Sequence, residues 1–420
     1  MLLGCIGDDF TGSTDLANTL VKQGMQTTQY CGVPTKPAEP GVEAGVVALK
    51  SRTIAAAEAV ALSLQAFEWL RAQGCRQFFF KYCSTFDSTP EGNIGPVIDA
   101  LMERLGADCT IVCPAFPETG RSIYLGHLFV KDRLLSESGM EHHPLTPMTD
   151  PDLRRWVGRQ SRQGIGHVDA LTVFRGAPAI RQALADEAAA GRPVVVVDAI
   201  RDDDLMEIGQ AARDLALVTG GSGVALGLPA NFRAQNLLAE RPMDWTGTDG
   251  PAAILSGSCS NMTRAQVATY AADHPAFEVT PDDLLAGAVA PDQAIAWIGG
   301  LPAGATPLIY SSAEPAAVRA AQNRYGRDRV AAAIEGFFAE TARCLVAGGV
   351  RRLVVAGGET SGAVVEGLGL TALAIGPEIA PGVPAVKASD RPLWLTLKSG
   401  NFGTESFFSD ALTVLAGARS

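Results

Sequence analysis

No basic run occurs anywhere in this 420-residue chain, and its net charge is −11. Nucleic-acid and anionic-membrane binding depend on clustered Lys and Arg, so both partner classes are disfavoured. A small anionic substrate remains compatible with that balance, because a few placed cations serve it. No stretch approaches the ~18 apolar residues a membrane span needs, and the apolar start lacks the length and basic flank of a secretion signal. The expectation is a soluble, cytoplasmic protein whose partner is a small molecule; oligomeric state is not legible. The eight cysteines contain no C-x-x-C and mostly sit in apolar runs, where Cys behaves as a small hydrophobe, so they read as reduced core residues. His127, His142, His143, His167 and His274 show no metal-ligand spacing, which disfavours a zinc site, and no metal ligand can be named. The G-x-S-x-G elbow, the Walker A loop and the G-x-G-x-x-G fingerprint are all missing. An α/β-hydrolase, a P-loop NTPase and a dinucleotide-binding domain are thereby disfavoured.

What the chain does have is hydrophobic content of 47% and enough length for two or three domains at roughly 150 residues each. Short apolar runs that end in polar or glycine-rich turns alternate with helical patterns, the mark of α/β layering around a largely parallel sheet. Strands are expected at 2–7, 46–49, 77–82, 110–113, 194–197 and 215–218, with helices at 14–24, 55–73 and 94–105. The alternation breaks in PANFRAQNLLAERPMDWTGTDGP, placing a linker at 231–250 between domains 1–230 and 251–420. It restarts with a strand at 252–255, helices at 263–272 and 327–347, a strand at 353–356 and a helix after Thr404. Two α/β lobes with an active-site cleft between them are the expected architecture.

In open α/β sheets ligands bind beyond the carboxyl ends of the strands. In the first lobe those ends carry Asp8 and Asp9, then Arg52, then Lys81 with Asp87, Ser88, Thr89 and Asn93, then Arg121. Carboxylates, hydroxyls and three cations would converge on one edge, with Arg52, Lys81 and Arg121 as candidates for an anionic group. The adjacent aspartates stand out, because mutual repulsion would lift one pKa unless a ligand or cation compensates. On that reading, Asn at either position should leave stability unchanged or raise it. S-T-P-E at 88–91 also fits a capping box, in which Ser88 and Glu91 merely satisfy backbone donors. A D-x-D-x-T phosphatase start fails at Phe10.

The second lobe offers small-residue turns between strand and helix. ILSGSCSNMTRAQ contains Ser256 and Ser258; VVAGGETSGAVVEGLG contains Gly358, Glu359, Thr360, Ser361, Gly362 and Ala363; LKSGNFG contains Gly400 and Gly403. Glycines allow close backbone approach, and helix N-termini offer unpaired N–H groups, so these turns suit phosphate.

Taken together, GDDFTGSTDLAN, KYCSTFDSTPEGNIG, CPAFPETGR, HPLTPMTDP, SGSCSNMTRAQ, GGETSGAVVEGLG, GPEIAPGVPA and LKSGNFG resemble the four-carbon acid sugar kinases across essentially the whole chain. DDFTG followed by TDLAN is most similar to the 3-oxo-tetronate kinase branch, whereas threonate and erythronate kinases tend toward DDLTGA. The resemblance implies an amino-terminal lobe for the acid sugar and a carboxy-terminal lobe for ATP with Mg²⁺. It also implies nucleotide contacts at Ser258, at 360–363 and at Gly403. Glu359 departs from the aspartate more usual at its position. Asp8, Asp9 and Asp87 are the candidate catalytic carboxylates, one hydrogen-bonding the sugar and one accepting the hydroxyl proton. D-threonate or D-erythronate as substrate, and a sensor that binds both ligands without turnover, remain open alternatives.

Overall fold

The computed structural model describes residues 1–143, 145–239, 245–312 and 315–417. The chain divides into two compact units, Met1–Pro242 and Met243–Ser420.

The first unit is built on β1 (Leu3–Gly7), β2 (Thr27–Cys31), β3 (Ala44–Ala48), β4 (Gln77–Lys81), β5 (Thr110–Cys113), β6 (Arg121–Tyr124), β7 (His127–Val130), β8 (Arg133–Leu134), β9 (Ile165–Val168), β10 (Val194–Val197) and β11 (Leu217–Gly220). Eight of these form a wholly parallel sheet in the order β2-β3-β1-β4-β11-β5-β10-β9, while β6, β7 and β8 make a small antiparallel sheet. Every residue of β1, β3, β4, β10 and β11 is buried. A parallel sheet is covered by helices on both faces, which is why a run such as Val194–Val197 shows no polar alternation.

The second unit contains β12 (Ala252–Ser256), β13 (Ala276–Glu278), β14 (Leu308–Tyr310), β15 (Arg352–Ala356), β16 (Ala372–Ala380), β17 (Val383–Ala388) and β18 (Trp394–Lys398). Here β13-β14-β12-β15-β18 run parallel, and β17 and β16 follow antiparallel. That antiparallel ribbon departs from the simple alternation read in the sequence.

Both sheets begin alike. The first strand lies in the middle, with its second and third strands to one side and its fourth to the other. The topological switch points therefore fall between β1 and β4 and between β12 and β15, where ligand crevices form at the carboxyl ends.

The ends of the expected linker are packed, not free. Its start lies in the helix Leu228–Ala234, where Phe232 is buried. Residues 240–244 lie outside the described residues. Trp245 then packs against the core of the second unit and donates to the Val414 carbonyl, while Trp394 donates to the Thr246 carbonyl. One tryptophan in a polar stretch anchors it.

Candidate active site

The first switch point is assembled by backbone before any side chain acts. Asp8 N–H donates to the Lys81 carbonyl at the end of β4, and the N–H groups of Ser51 and Arg52, beyond β3, donate to the Asp8 carbonyl. Asp8, Arg52 and Lys81 are thus held at one edge by the registers of three neighbouring strands. Asp9 ends the extended segment and caps the helix Phe10–Lys22, its Oδ1 accepting from Gly12 N–H at 3.1 Å.

The four charges form a quartet. Arg52 donates to both Asp8 oxygens at 2.8 Å and lies 2.7 Å from Asp9 Oδ1. Lys81 Nζ reaches Asp9 Oδ1 at 3.4 Å. Asp8 and Lys81 are buried, whereas Arg52 and Asp9 are partly open, with side chains 22% and 29% exposed. Gly12 makes the Lys81 approach feasible, since a Cβ there would sit 1.7 Å from Nζ. Burial pushes the Asp8 carboxyl up and Asp9 adds to this, while Arg52 and Lys81 pull it back. Burial would also raise Asp9, yet Lys81 and then Arg52, with the Gly12 N–H, hold it below the ordinary aspartate value. Asp8 and Asp9 in turn hold the Arg52 proton far above its usual range against burial. The aspartates are therefore compensated by cations of the same chain. Compensation of this kind predicts that Asn at Asp8 lowers stability, against the expectation of an unchanged or raised melting temperature.

The loop after β4 holds the remaining candidates. Phe86 adopts a left-handed φ of 56°, and its buried ring packs edge-on against Tyr82 at 5.0 Å. That core contact offsets the backbone strain and fixes Asp87, which accepts from Thr85 Oγ1 at 2.5 Å. No helix starts at Ser88, so the capping box is not formed; the helix Ile94–Leu105 begins after Asn93. Ser88 Oγ donates to the Phe86 carbonyl and accepts from Trp156 and Gln160, which fills its capacity. Asn93 gives its amide to the carbonyls of Ser51, Arg52 and Ile54. Both side chains brace the loops that carry Arg52 and Asp87. Thr89 is half-buried, its carbonyl accepting from Gln160. Arg121 opens β6 and donates to the Thr119 carbonyl; among the described residues its buried Nε has no partner and it makes no ion pair. Unlike Arg52 and Lys81, it has no carboxylate paired with it among the described residues.

At the second switch point the glycine turns touch. A Cβ on Gly257 would lie 2.2 Å from Thr360 Oγ1, and Gly357, at φ 124°, lies against the Ser258 N–H. Only a residue without a side chain fits such an approach. Ser256 is buried beneath, paired with Ser312 Oγ at 3.0 Å. Gly358 and Glu359 open the helix Gly358–Gly367 as exposed residues, followed by buried Thr360 and Ser361 and half-buried Gly362 and Ala363. The Ser361 hydroxyl is buried without a partner, as is that of Ser311 beyond β14. Gly400 backs onto Ser258 and Ser260, while Gly403, at φ 79°, backs onto Phe407. Helix N-terminal N–H groups, open glycines and orphaned hydroxyls suit a nucleotide phosphate chain. Among the described residues no group of three or more His, Cys, Asp or Glu gathers that could hold a metal ion. No helix among them is long and apolar enough to cross a membrane.

Sequence reading missed three residues here. Lys398 ends β18 with 0% exposure, Thr263 bonds it, and Gln266 donates to the carbonyls of Phe402 and Thr404. The lysine directly after WLTL was the available signal, a charge where a buried strand ends.

The sequence matches the model of a sugar-binding N-terminal domain over residues 3–228 and that of a nucleotide-binding C-terminal domain over residues 253–408. A Burkholderia multivorans protein named 3-oxo-tetronate kinase is 54% identical over 99% of this chain and 98% of its own length. A Cupriavidus necator protein of the same name is 53% identical over the same shares. The solved structure of a Salmonella typhimurium LT2 protein, provisionally named a tRNA synthase, is 45% identical with a TM-score of 0.91, over 97% of this chain and 98% of that one.

Proposed function

The chain belongs to the four-carbon acid sugar kinase family, and from that premise we propose that it phosphorylates the 4-hydroxyl of 3-oxo-tetronate with ATP, in the cytoplasm, in the breakdown of four-carbon sugar acids. The observation that carries the reading is the charge quartet at the first switch point. The first unit is the sugar-acid domain and the second the nucleotide domain.

ATP is the phosphoryl donor, and Mg²⁺ bound to its phosphates would neutralise part of their charge. Positioning and charge neutralisation provide most of the catalysis in such transfers. Asp9, the more open aspartate, accepts the proton of the 4-hydroxyl as that oxygen bonds to the γ-phosphorus and the bond from phosphorus to the β,γ-bridging oxygen breaks, releasing ADP. Asp8 holds Arg52 in place, and Asp87 and Thr89 bond the sugar hydroxyls. Arg121 pairs with the sugar-acid carboxylate, a charge-assisted bond worth about 1.5–3 kcal/mol. Arg52 and Lys81 stabilise charge that develops on the transferred group. Ser258, Thr360, Ser361, Gly362, Ala363 and Gly403 line the phosphate chain, with Ser256, Gly358, Glu359 and Gly400 around it.

ADP release measured with 3-oxo-tetronate, D-threonate and D-erythronate tests this. The highest kcat/KM is expected for 3-oxo-tetronate, with Arg121→Ala raising KM for the acid far more than for ATP. A preference for either tetronate refutes the substrate. Binding of both ligands without turnover refutes the kinase reading in favour of a sensor.

A further inference from the structure

We infer that Lys398 is a positioning residue of the nucleotide site: it ties the turn after β18 to the turn after β12 and sets a fixed positive charge behind the edge that receives phosphate. The inference rests on the reading of the second unit as the nucleotide domain.

Lys398 is fully buried at the last position of β18. Its ammonium donates to Thr263 Oγ1 at 3.0 Å, to the Ser399 carbonyl at 3.0 Å and to the Gly400 carbonyl at 2.8 Å, so all three protons are used. Thr263 extends the connection. Its hydroxyl donates to the Gly400 carbonyl at 2.7 Å and accepts from Ser260 Oγ at 3.1 Å, and Ser260 N–H reaches Ser258 Oγ at 3.3 Å. One side chain thus links the turn after β18 to the first turn of the helix Asn261–Ala271 that follows β12, and through Thr263 to Ser260 and Ser258, although β15 lies between the two strands.

The charge is the second part of the argument. Lys81, the other buried lysine, has Asp9 as its counter-ion, whereas none of the contacts of Lys398 among the described residues is a carboxylate. Its remaining neighbour is the Phe407 ring, at 5.8 Å. Charged groups on the surrounding elements are turned to other work. Arg264 bonds Asn261, Arg352 bonds the Gly250 carbonyl, Asp410 accepts from Ser406, Lys387 lies over Trp394, and Glu359 is exposed. Burial alone lowers the ammonium to about 8, so it is still charged at neutral pH. An unpaired buried ammonium is costly unless an anion completes the balance. A phosphate chain on the adjoining turns supplies that anion.

A strut and a charge predict different binding patterns. Calorimetric titration of the full chain with ATP, ADP, AMP and adenosine separates them, using wild type, Lys398→Arg and Lys398→Met. In the Met variant ATP affinity is expected to fall at least tenfold, ADP less, and adenosine less than twofold; the Arg variant should retain most ATP affinity. Lys398→Gln, which keeps two donors for the carbonyls, replaces Met should that variant not fold. The wild type alone gives a third reading: its ATP-to-adenosine affinity ratio should drop as pH rises from 7 to about 9.5. Equal losses for adenosine and ATP, or an unchanged ratio across that pH range, would overturn the inference. Failure of the wild type to bind ATP would instead refute the nucleotide reading beneath it.

Discussion

Asp8→Asn separates compensated from repelling aspartates. The substitution keeps the shape and one acceptor oxygen but removes the charge from a carboxylate that is 3% exposed and bidentate to Arg52. Breaking a buried pair by deleting one partner typically costs 3–5 kcal/mol, because the other charge is stranded. Two features reduce that figure here. Asp9 still lies 2.7 Å from Arg52, and the burial penalty of the Asp8 carboxylate disappears with its charge. A net loss of about 2 kcal/mol remains. For a unit of this size, where 1 kcal/mol moves Tm by roughly 2–4 °C, the expected drop is about 4–8 °C. Scanning calorimetry of the ligand-free protein measures it, with circular dichroism at 20 °C confirming that the variant folds. An unchanged or higher Tm would show that Asp8 and Asp9 repel more than Arg52 and Lys81 compensate, and would refute the quartet as a stabilising unit.

Asp9→Asn keeps the helix cap, since Asn serves as well as Asp there, but removes the proton acceptor, so kcat should fall by roughly 10²–10⁴ with little change in ATP affinity; near-normal turnover would remove Asp9 from the chemistry. The same variant should flatten the acid limb of stability. Asp9 is held below its ordinary 3.8, so its contribution is present above that pH and is lost as pH falls through its folded-state value. Below pH 4 the Tm of the wild type should therefore drop faster than that of Asp9→Asn, and parallel curves would contradict this. Gly257→Val places a side chain where even a Cβ meets Thr360 Oγ1 at 2.2 Å, so ATP binding by calorimetry should be lost while sugar-acid binding persists.

Much was legible in one dimension because its causes are local. Valine runs such as Val194–Val197 announce strands buried on both faces, and the patterns over Ile94–Leu105 and Arg327–Ala347 set helices whose observed bounds match. Asp8, Arg52, Lys81 and Arg121 could be found because chemistry gathers at the carboxyl ends of parallel strands wherever the sheet forms. β2 escaped because Thr27–Cys31 carries Thr and Gln, buried at Thr27 and Gln29, in place of an apolar run. Which partners each polar side chain finds at that edge was decided by tertiary structure. Ser88 looked like a cap and proved to be the acceptor for Trp156 and Gln160, about 70 residues later in sequence. The amide of Asn93, a candidate ligand group, also holds three carbonyls of another loop, which nothing local announced. Two adjacent aspartates looked like a repulsion that a ligand or cation must compensate, and the registers of β1, β3 and β4 bring them Arg52 and Lys81. The sequence determines which groups reach the edge of a sheet, because strand periodicity and strand ends are local properties. Which of those groups pair, and which remain open to a substrate, depends on distances between segments far apart in the chain, and only the fold sets those distances.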